Sequence, residues 1–151
     1  FLSAIWYITT ISIWLCLFAF LGLQLQGTLY NYYYVILRNR FDGDTTSRVF
    51  EDKTPVALEG EKQQHVTILF SLYKLLYGVF DKVIYTLDKN ADRGTILPNW
   101  LMTSVSTFGL GFQLLVIAIL LVLGLKAIII PFFLLYTFMI FVFVGIRKMF
   151  Y

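Results

Sequence analysis

The chain has 151 residues, a formal net charge of +3, 59% hydrophobic residues and 14% charged residues. An ordinary soluble domain carries about 25% charged residues, so this composition argues against one. The small net charge, without a run of Lys or Arg, argues against a nucleic-acid partner. Cys16 is the single cysteine. It cannot form an internal disulfide, and no Cys/His spacing predicts a metal site.

Residues 2–25 predict the first membrane span, because about 20 apolar residues cross the ~30 Å hydrocarbon layer of a bilayer. The segment lacks a basic start, and its apolar run is longer than that of a signal peptide, so we expect it to be retained. A tyrosine cluster follows the span. Tyrosine combines an apolar ring with a polar hydroxyl, which predicts interface anchors at Tyr30, Tyr32, Tyr33 and Tyr34.

The middle of the chain divides into a polar part and an amphipathic part. Residues 38–64 carry charges of both signs with Gly43, Pro55 and Gly60, which predicts an extramembrane loop. Residues 66–87 place apolar side chains at helical spacing and predict an amphipathic helix on the membrane surface. A membrane crossing by this helix is the alternative. It would bury three charged side chains, at about 2.5–3.5 kcal/mol each near the bilayer centre, namely Lys74, Asp81 and Lys82.

Oxygen-bearing side chains alternate at Asp88, Asn90 and Asp92. The alternation resembles the calcium loop of an EF-hand, in which such oxygens surround a hard cation. The sixth and twelfth positions hold Arg93 and Asn99, where that loop has Gly and Glu. A solvated turn stabilised by Asx side chains is the favoured interpretation of the segment.

The last third of the chain is the most apolar. Thr103 to Ile146 comprises 44 residues with one charge, Lys126, and one proline, Pro131. This length predicts two spans, at about 102–123 and 128–146. We favour a tight hairpin between them over one long helix kinked at the proline.

Two glycines and several end residues complete the predicted membrane domain. Gly109 and Gly111 are small enough to let another helix approach closely. Further interface anchors are predicted at the ends of the spans, at Trp100, Lys126, Arg147 and Lys148. Three spans would place 11 of the 12 Lys and Arg residues on one side of the membrane, which favours the cytosol or the mitochondrial matrix for that side.

Two short apolar strings resemble parts of the voltage-gated cation channel family. Residues 18–25, FAFLGLQL, resemble the end of the first pore-lining segment of a channel repeat, and residues 71–77, SLYKLLY, are similar to its pore helix. The resemblance implies that the middle segment is a pore loop. The family has acidic or other polar residues just after the pore helix, where this chain has Gly78, Val79 and Phe80.

These patterns predict an all-α integral membrane protein, a single domain with about three transmembrane helices and one amphipathic interfacial helix. The favoured function is a structural or accessory subunit of a multi-subunit membrane complex, such as a mitochondrial inner-membrane respiratory or ATP synthase assembly. The expected partners are other membrane subunits and bound phospholipids, with no catalytic group, cofactor or metal of its own. The alternative is a pore-forming or pore-associated ion-channel subunit.

Overall fold

The computed structural model describes residues 1–41, 53–93 and 97–150, and 77% of these are helical, with no strand among them. Part of the predicted polar loop, residues 42–52, and residues 94–96 of the calcium-loop resemblance lie outside the described residues. The helices are α1 (Leu2–Thr9), α2 (Ile13–Arg40), α3 (Gln63–Leu76), α4 (Gly78–Leu87), α5 (Asn99–Ser106), α6 (Leu110–Val122), a 3₁₀ turn (Lys126–Ile128), α7 (Ile129–Thr137) and α8 (Met139–Phe150).

The predicted first span is divided between two helices. Thr10 ends α1 in the left-handed region, with φ at 54°. Its hydroxyl donates to the carbonyl of Thr9, and the Thr9 hydroxyl donates to the carbonyl of Ile5. Such local hydrogen bonds compete with helix propagation. The long apolar helix is therefore α2, which starts at Ile13 and continues through the tyrosine cluster to Arg40.

The predicted amphipathic helix is broken at Tyr77, where α3 ends and α4 begins. A groove is formed between residues 20–25 of α2 and the residues of α3 and α4 that flank this break. Further along, Asp88 receives hydrogen bonds from Tyr32 and Tyr33. Successive parts of α4 therefore lie beside successively later parts of α2, and the two helices run in the same direction.

Two helices are long and apolar enough to cross a membrane, α2 and the segment Lys126–Phe150. The pair α5 and α6 also qualifies when counted together, although the two are bent by 50° at the break between them. The described chain thus has two candidate spans, or three if the bent pair forms one. The described residues are thus all-helical in architecture, with two apolar helices that could span a membrane.

A tight turn joins α6 to the C-terminal helices. Gly124 adopts φ of +72°, which glycine tolerates because it has no Cβ. Pro131 lies in the first turn of α7, where its missing N–H would have no intrahelical partner. The chain therefore reverses at Gly124 and not at the proline.

The helix directions follow from contacts along α2. Later positions of α2 meet later positions of α7 and α8. Ala19 and Ile130 belong to the same apolar cluster, and Gln26 is hydrogen-bonded to Thr137. Further along, Tyr33 and Arg147 both contact the side chain of Asp88. These helices therefore run parallel. In α6 the order is reversed, because Gln113 meets Gln26 whereas Leu120 packs on the cluster that contains Cys16. α6 is antiparallel to both.

Two cores occupy opposite ends of this bundle. The apolar core joins α1, α2 and α7 and consists of Ile5, Cys16, Ala19, Ile129, Ile130 and Phe133. The larger core joins α2, α4, α5 and α8, and its most buried members include Leu29, Tyr33, Ile84, Leu101, Val105 and Phe108. The second core encloses the charged side chains of Asp88 and Arg147, whereas the described residues of the first core are apolar.

Candidate functional site

Four side chains meet inside the larger core and form what we call the Asp88 cluster: Tyr32, Tyr33, Asp88 and Arg147. Nη1 of Arg147 lies 2.8 Å from Oδ1 of Asp88, and the two side chains are 6% and 1% exposed. The hydroxyl of Tyr33 donates to Oδ2 of Asp88 at 2.8 Å, and that of Tyr32 donates to the Asp88 backbone carbonyl at 2.8 Å. A carboxylate and a guanidinium are thus held together out of solvent.

The local sequence explains why these groups converge. Tyr32 and Tyr33 are adjacent on the last turns of α2, Asp88 directly follows α4, and Arg147 is in the last turn of α8. The cation at the C-terminal end of α8 also interacts favourably with the helix dipole. Three separate parts of the chain are thereby fixed to one another at a single point.

The ion pair is not fully hydrogen-bonded. The contact between Nη1 and Oδ1 is close, but it lacks the geometry of a hydrogen bond, and Nη2 of Arg147 is buried without a partner among the described residues. Desolvation of two charges is costly, and the attraction between them compensates for that cost only in good geometry. Removal of one partner would therefore be far more damaging than removal of both.

A second polar arrangement, the glutamine network, crosses the middle of the bundle. Nε2 of Gln113 donates to Oε1 of Gln26 at 3.2 Å and to the carbonyl of Phe108 at 3.0 Å. Nε2 of Gln26 in turn donates to Oγ1 of Thr137 at 3.0 Å, and Thr137 donates to the carbonyl of Phe133 at 2.7 Å. Three helices are joined by amide and hydroxyl groups within an apolar environment.

Gly22 permits this network to form. A Cβ atom placed on Gly22 would lie 2.2 Å from Oγ1 of Thr137, closer than any non-bonded contact. The missing side chain therefore allows α2 and α7 to approach closely, as small residues do in membrane helix packing. Gly22 was not among the predicted packing glycines, although its position in an apolar helix is the signal that could have identified it.

The predicted interface anchors have different environments. Tyr34, Trp100, Lys126 and Lys148 are exposed, and Tyr30 is half-buried. Tyr32, Tyr33 and Arg147 are instead buried in the Asp88 cluster. A polar residue near a span end looks the same in a sequence whether it meets lipid headgroups or an internal partner, so no sequence signal separates the two groups.

The predicted packing glycines also differ. A Cβ on Gly109 would lie 3.0 Å from the carbonyl of Ser106 and 3.6 Å from the ring of Tyr30, so this glycine is in contact with α2 within the chain. A Cβ on Gly111 would meet nothing within 4 Å. Gly111 therefore lies on an open surface of α6.

The structure separates the three residues of the calcium-loop resemblance. Asp88 is buried and paired with Arg147, whereas Asn90 and Asp92 are exposed. Within residues 1–41, 53–93 and 97–150 there is no group of three His, Cys, Asp or Glu side chains placed to hold a metal ion. The ionic partner of Asp88 is a residue almost 60 positions away, which no local pattern could indicate.

The two segments that resemble channel repeats are neighbours in the structure. Residues 75–77 of the pore-helix-like string and residues 20–25 of the pore-lining-like string line one apolar groove of about 560 Å³. The groove also contains Val79, Phe80 and Val83 of α4. The break between α3 and α4 thus lies beside the middle of the apolar part of α2.

The chain matches no protein-family model, and no similar curated protein or solved structure was found.

Proposed function

We propose that this chain is a structural or accessory subunit of a larger membrane complex. The supporting observation is that most residues of the two candidate spans are not buried within the chain. Of the most apolar windows of α2 and of Lys126–Phe150, 28% and 33% are buried within the chain. The remaining apolar faces need lipid or other subunits against them, and the contacts within both buried polar sites join the chain's own helices.

Gly111 marks the surface proposed for a partner helix. Apolar side chains gain little from leaving lipid for another helix, so helices associate in membranes through close backbone approach and small residues. Gly111 is exposed on α6, and nothing lies within 4 Å of the position its Cβ would take.

The specific complex we propose is a mitochondrial inner-membrane assembly with bound phospholipids.

The deciding experiment is gentle purification from native membranes, followed by native mass spectrometry. We expect one copy of the chain among several unlike subunits, together with phospholipids. Gly111→Leu should reduce the recovery of those subunits several-fold. Gly145→Leu is the control, because Gly145 is also a helical glycine with nothing within 4 Å of its Cβ position. Recovery of the chain alone would contradict the proposal, and cell fractionation would test the compartment.

A pore-forming subunit is a second candidate, favoured by the groove that brings residues 75–77 against residues 20–25. In that arrangement the α3–α4 break would enter the membrane near an axis shared by several copies. A ring of identical chains in the mass spectrum, with ion conductance after reconstitution, would favour this function over the accessory one.

A further inference from the structure

A second groove, distinct from the one beside α4, lies between residues 1–3, α2 and α6. It measures about 610 Å³, which is within the range of small-molecule sites. We call it the Gln113 groove. Its lining is mostly apolar, from Phe1, Leu2, Phe20, Leu23, Gly27 and Leu110, with Ser3, Gln24 and Gln113 as its polar side chains.

The carboxamide of Gln113 is the polar group that gives this groove its chemistry. The residue is 6% exposed, yet it belongs to the groove lining. Its Nε2 donates to the carbonyl of Phe108 and to Oε1 of Gln26. A backbone carbonyl can only accept, so these bonds fix the orientation of the amide.

The direction of the whole glutamine network supports this assignment. The Thr137 hydroxyl donates to the carbonyl of Phe133, so its oxygen accepts from Nε2 of Gln26. Oε1 of Gln26 is then the acceptor for Gln113. Both side-chain hydrogen bonds of Gln113 use Nε2. Its Oε1 accepts none from the described residues, and it is not among the atoms buried without a partner, so it is accessible at the surface of the chain.

We propose that the Gln113 groove binds a neutral membrane amphiphile whose hydroxyl group donates a hydrogen bond to Oε1 of Gln113. An unused acceptor in an apolar environment favours a ligand with a donor, because leaving such a group unpaired is costly. The apolar lining takes the hydrocarbon body, and the Ser3 hydroxyl and Gln24 amide lie in the same groove for a second polar group. Neutral membrane lipids with free hydroxyls include sterols and diacylglycerols.

The ligand source can be separated by photolabelling in membranes that contain the full-length chain. Three diazirine probes are compared at equal membrane fraction: a sterol, a diacylglycerol, and a phosphatidylcholine that has no hydroxyl donor. After irradiation the tagged chain is purified and the labelled peptides are identified. We expect labelling near Leu23 and Leu110 by one or both hydroxyl probes, at least fivefold above the phosphatidylcholine probe.

Gly27→Leu is the blocking variant. Gly27 lines the groove, and a Cβ there would meet nothing within 4 Å, so a larger side chain fills the groove without disturbing the glutamine network. We expect it to reduce labelling at least fivefold. Gly145→Leu should leave labelling unchanged, since Gly145 is a half-buried helical glycine outside the groove with equally open space around it.

Three results would overturn the proposal. Equal labelling by all three probes would show that ordinary acyl chains fill the groove. No labelling by any probe would be the result if a protein segment covers it. Strong labelling that Gly27→Leu does not reduce would place the bound probe elsewhere. None of these readouts depends on whether the chain is recovered with other subunits, so the test is independent of the proposed accessory function.

Discussion

The two ends of the helix bundle are built on the same long helix, α2, but by different interactions. At one end Cys16 and Ala19 pack on apolar side chains of α1 and α7. At the other end Tyr33 bonds to Asp88, which pairs with Arg147. Apolar contacts tolerate small shifts of one helix along another, whereas a buried charge has one acceptable partner. We infer that the apolar end supplies close packing and that the Asp88 cluster fixes helix register.

The two ends of the bundle also differ in what stabilises them within a membrane. Lipid tails are as apolar as leucine, so moving Ile129 or Ile130 from lipid into the bundle gains little hydrophobic free energy. Close van der Waals packing must therefore stabilise them. A lone Arg147 or Asp88 inside the bundle would instead be an uncompensated charge. Substitutions at the two ends should therefore have unequal effects on stability.

The largest effect is expected from Asp88→Leu, which leaves Arg147 buried without its counter-charge. Breaking a buried pair costs about 3–5 kcal/mol, and we expect a loss of this size in the free energy of unfolding, measured by SDS titration of the purified chain. The double variant Asp88→Leu/Arg147→Met is the control. Replacing both charges is often neutral or stabilising, so a double variant as unstable as the single one would contradict a charge-pairing role.

The next effect is expected from Tyr33→Phe, which removes the hydroxyl that donates to Oδ2 of Asp88. A hydrogen bond to a charged group contributes about 1.5–3 kcal/mol, so the same titration should show a loss in that range. Tyr34→Phe is the matched control, because Tyr34 is the next residue of α2 and its side chain is exposed. Equal behaviour of the two variants would show that the buried hydroxyl adds nothing to the cluster.

The part of the fold that could be predicted from the sequence is the part set by composition and local pattern. The unbroken apolar run after Thr103 predicted membrane helices, and the structure has helices long and apolar enough to span. The number of spans remains two or three, since α5 and α6 are bent by 50°. The break at Thr10 was not predicted, because its two hydroxyl-to-carbonyl bonds depend on backbone geometry that hydropathy does not report.

The candidate sites were harder to predict, because each depends on contacts between distant residues. The local sequence favours a solvated turn at Asp88, with a calcium loop as the resemblance, and a headgroup anchor at Arg147; each is plausible from its neighbours alone. Gln113 is a polar residue inside the predicted span 102–123, but its partner Gln26 is 87 positions away. A sequence shows that a polar group in an apolar helix needs a partner; without the fold it does not show which one.

A smaller effect is expected from Gly22→Ala, which tests the close approach of α2 and α7 midway between the two ends of the bundle. The added methyl group would overlap with the side chain of Thr137, and overpacking of this kind costs about 1–3 kcal/mol. Gly27→Ala, five residues further along α2, meets open space and should gain up to about 1 kcal/mol from better helix propensity. If both alanines stabilised the chain, the contact between α2 and α7 would be looser than described.

The smallest effect is expected at the apolar end, from Ile130→Val. Removing one buried methylene costs about 0.5–1.5 kcal/mol, and Ile119→Val on the exposed face of α6 should cost less. The informative measurement is the double variant Ile130→Val/Tyr33→Phe. These residues belong to separate clusters, and substitutions without shared partners add to within about 0.5 kcal/mol. A larger departure from the sum would mean that the glutamine network between the clusters transmits packing changes from one end to the other, so that register is set jointly and not by Asp88 and Arg147 alone.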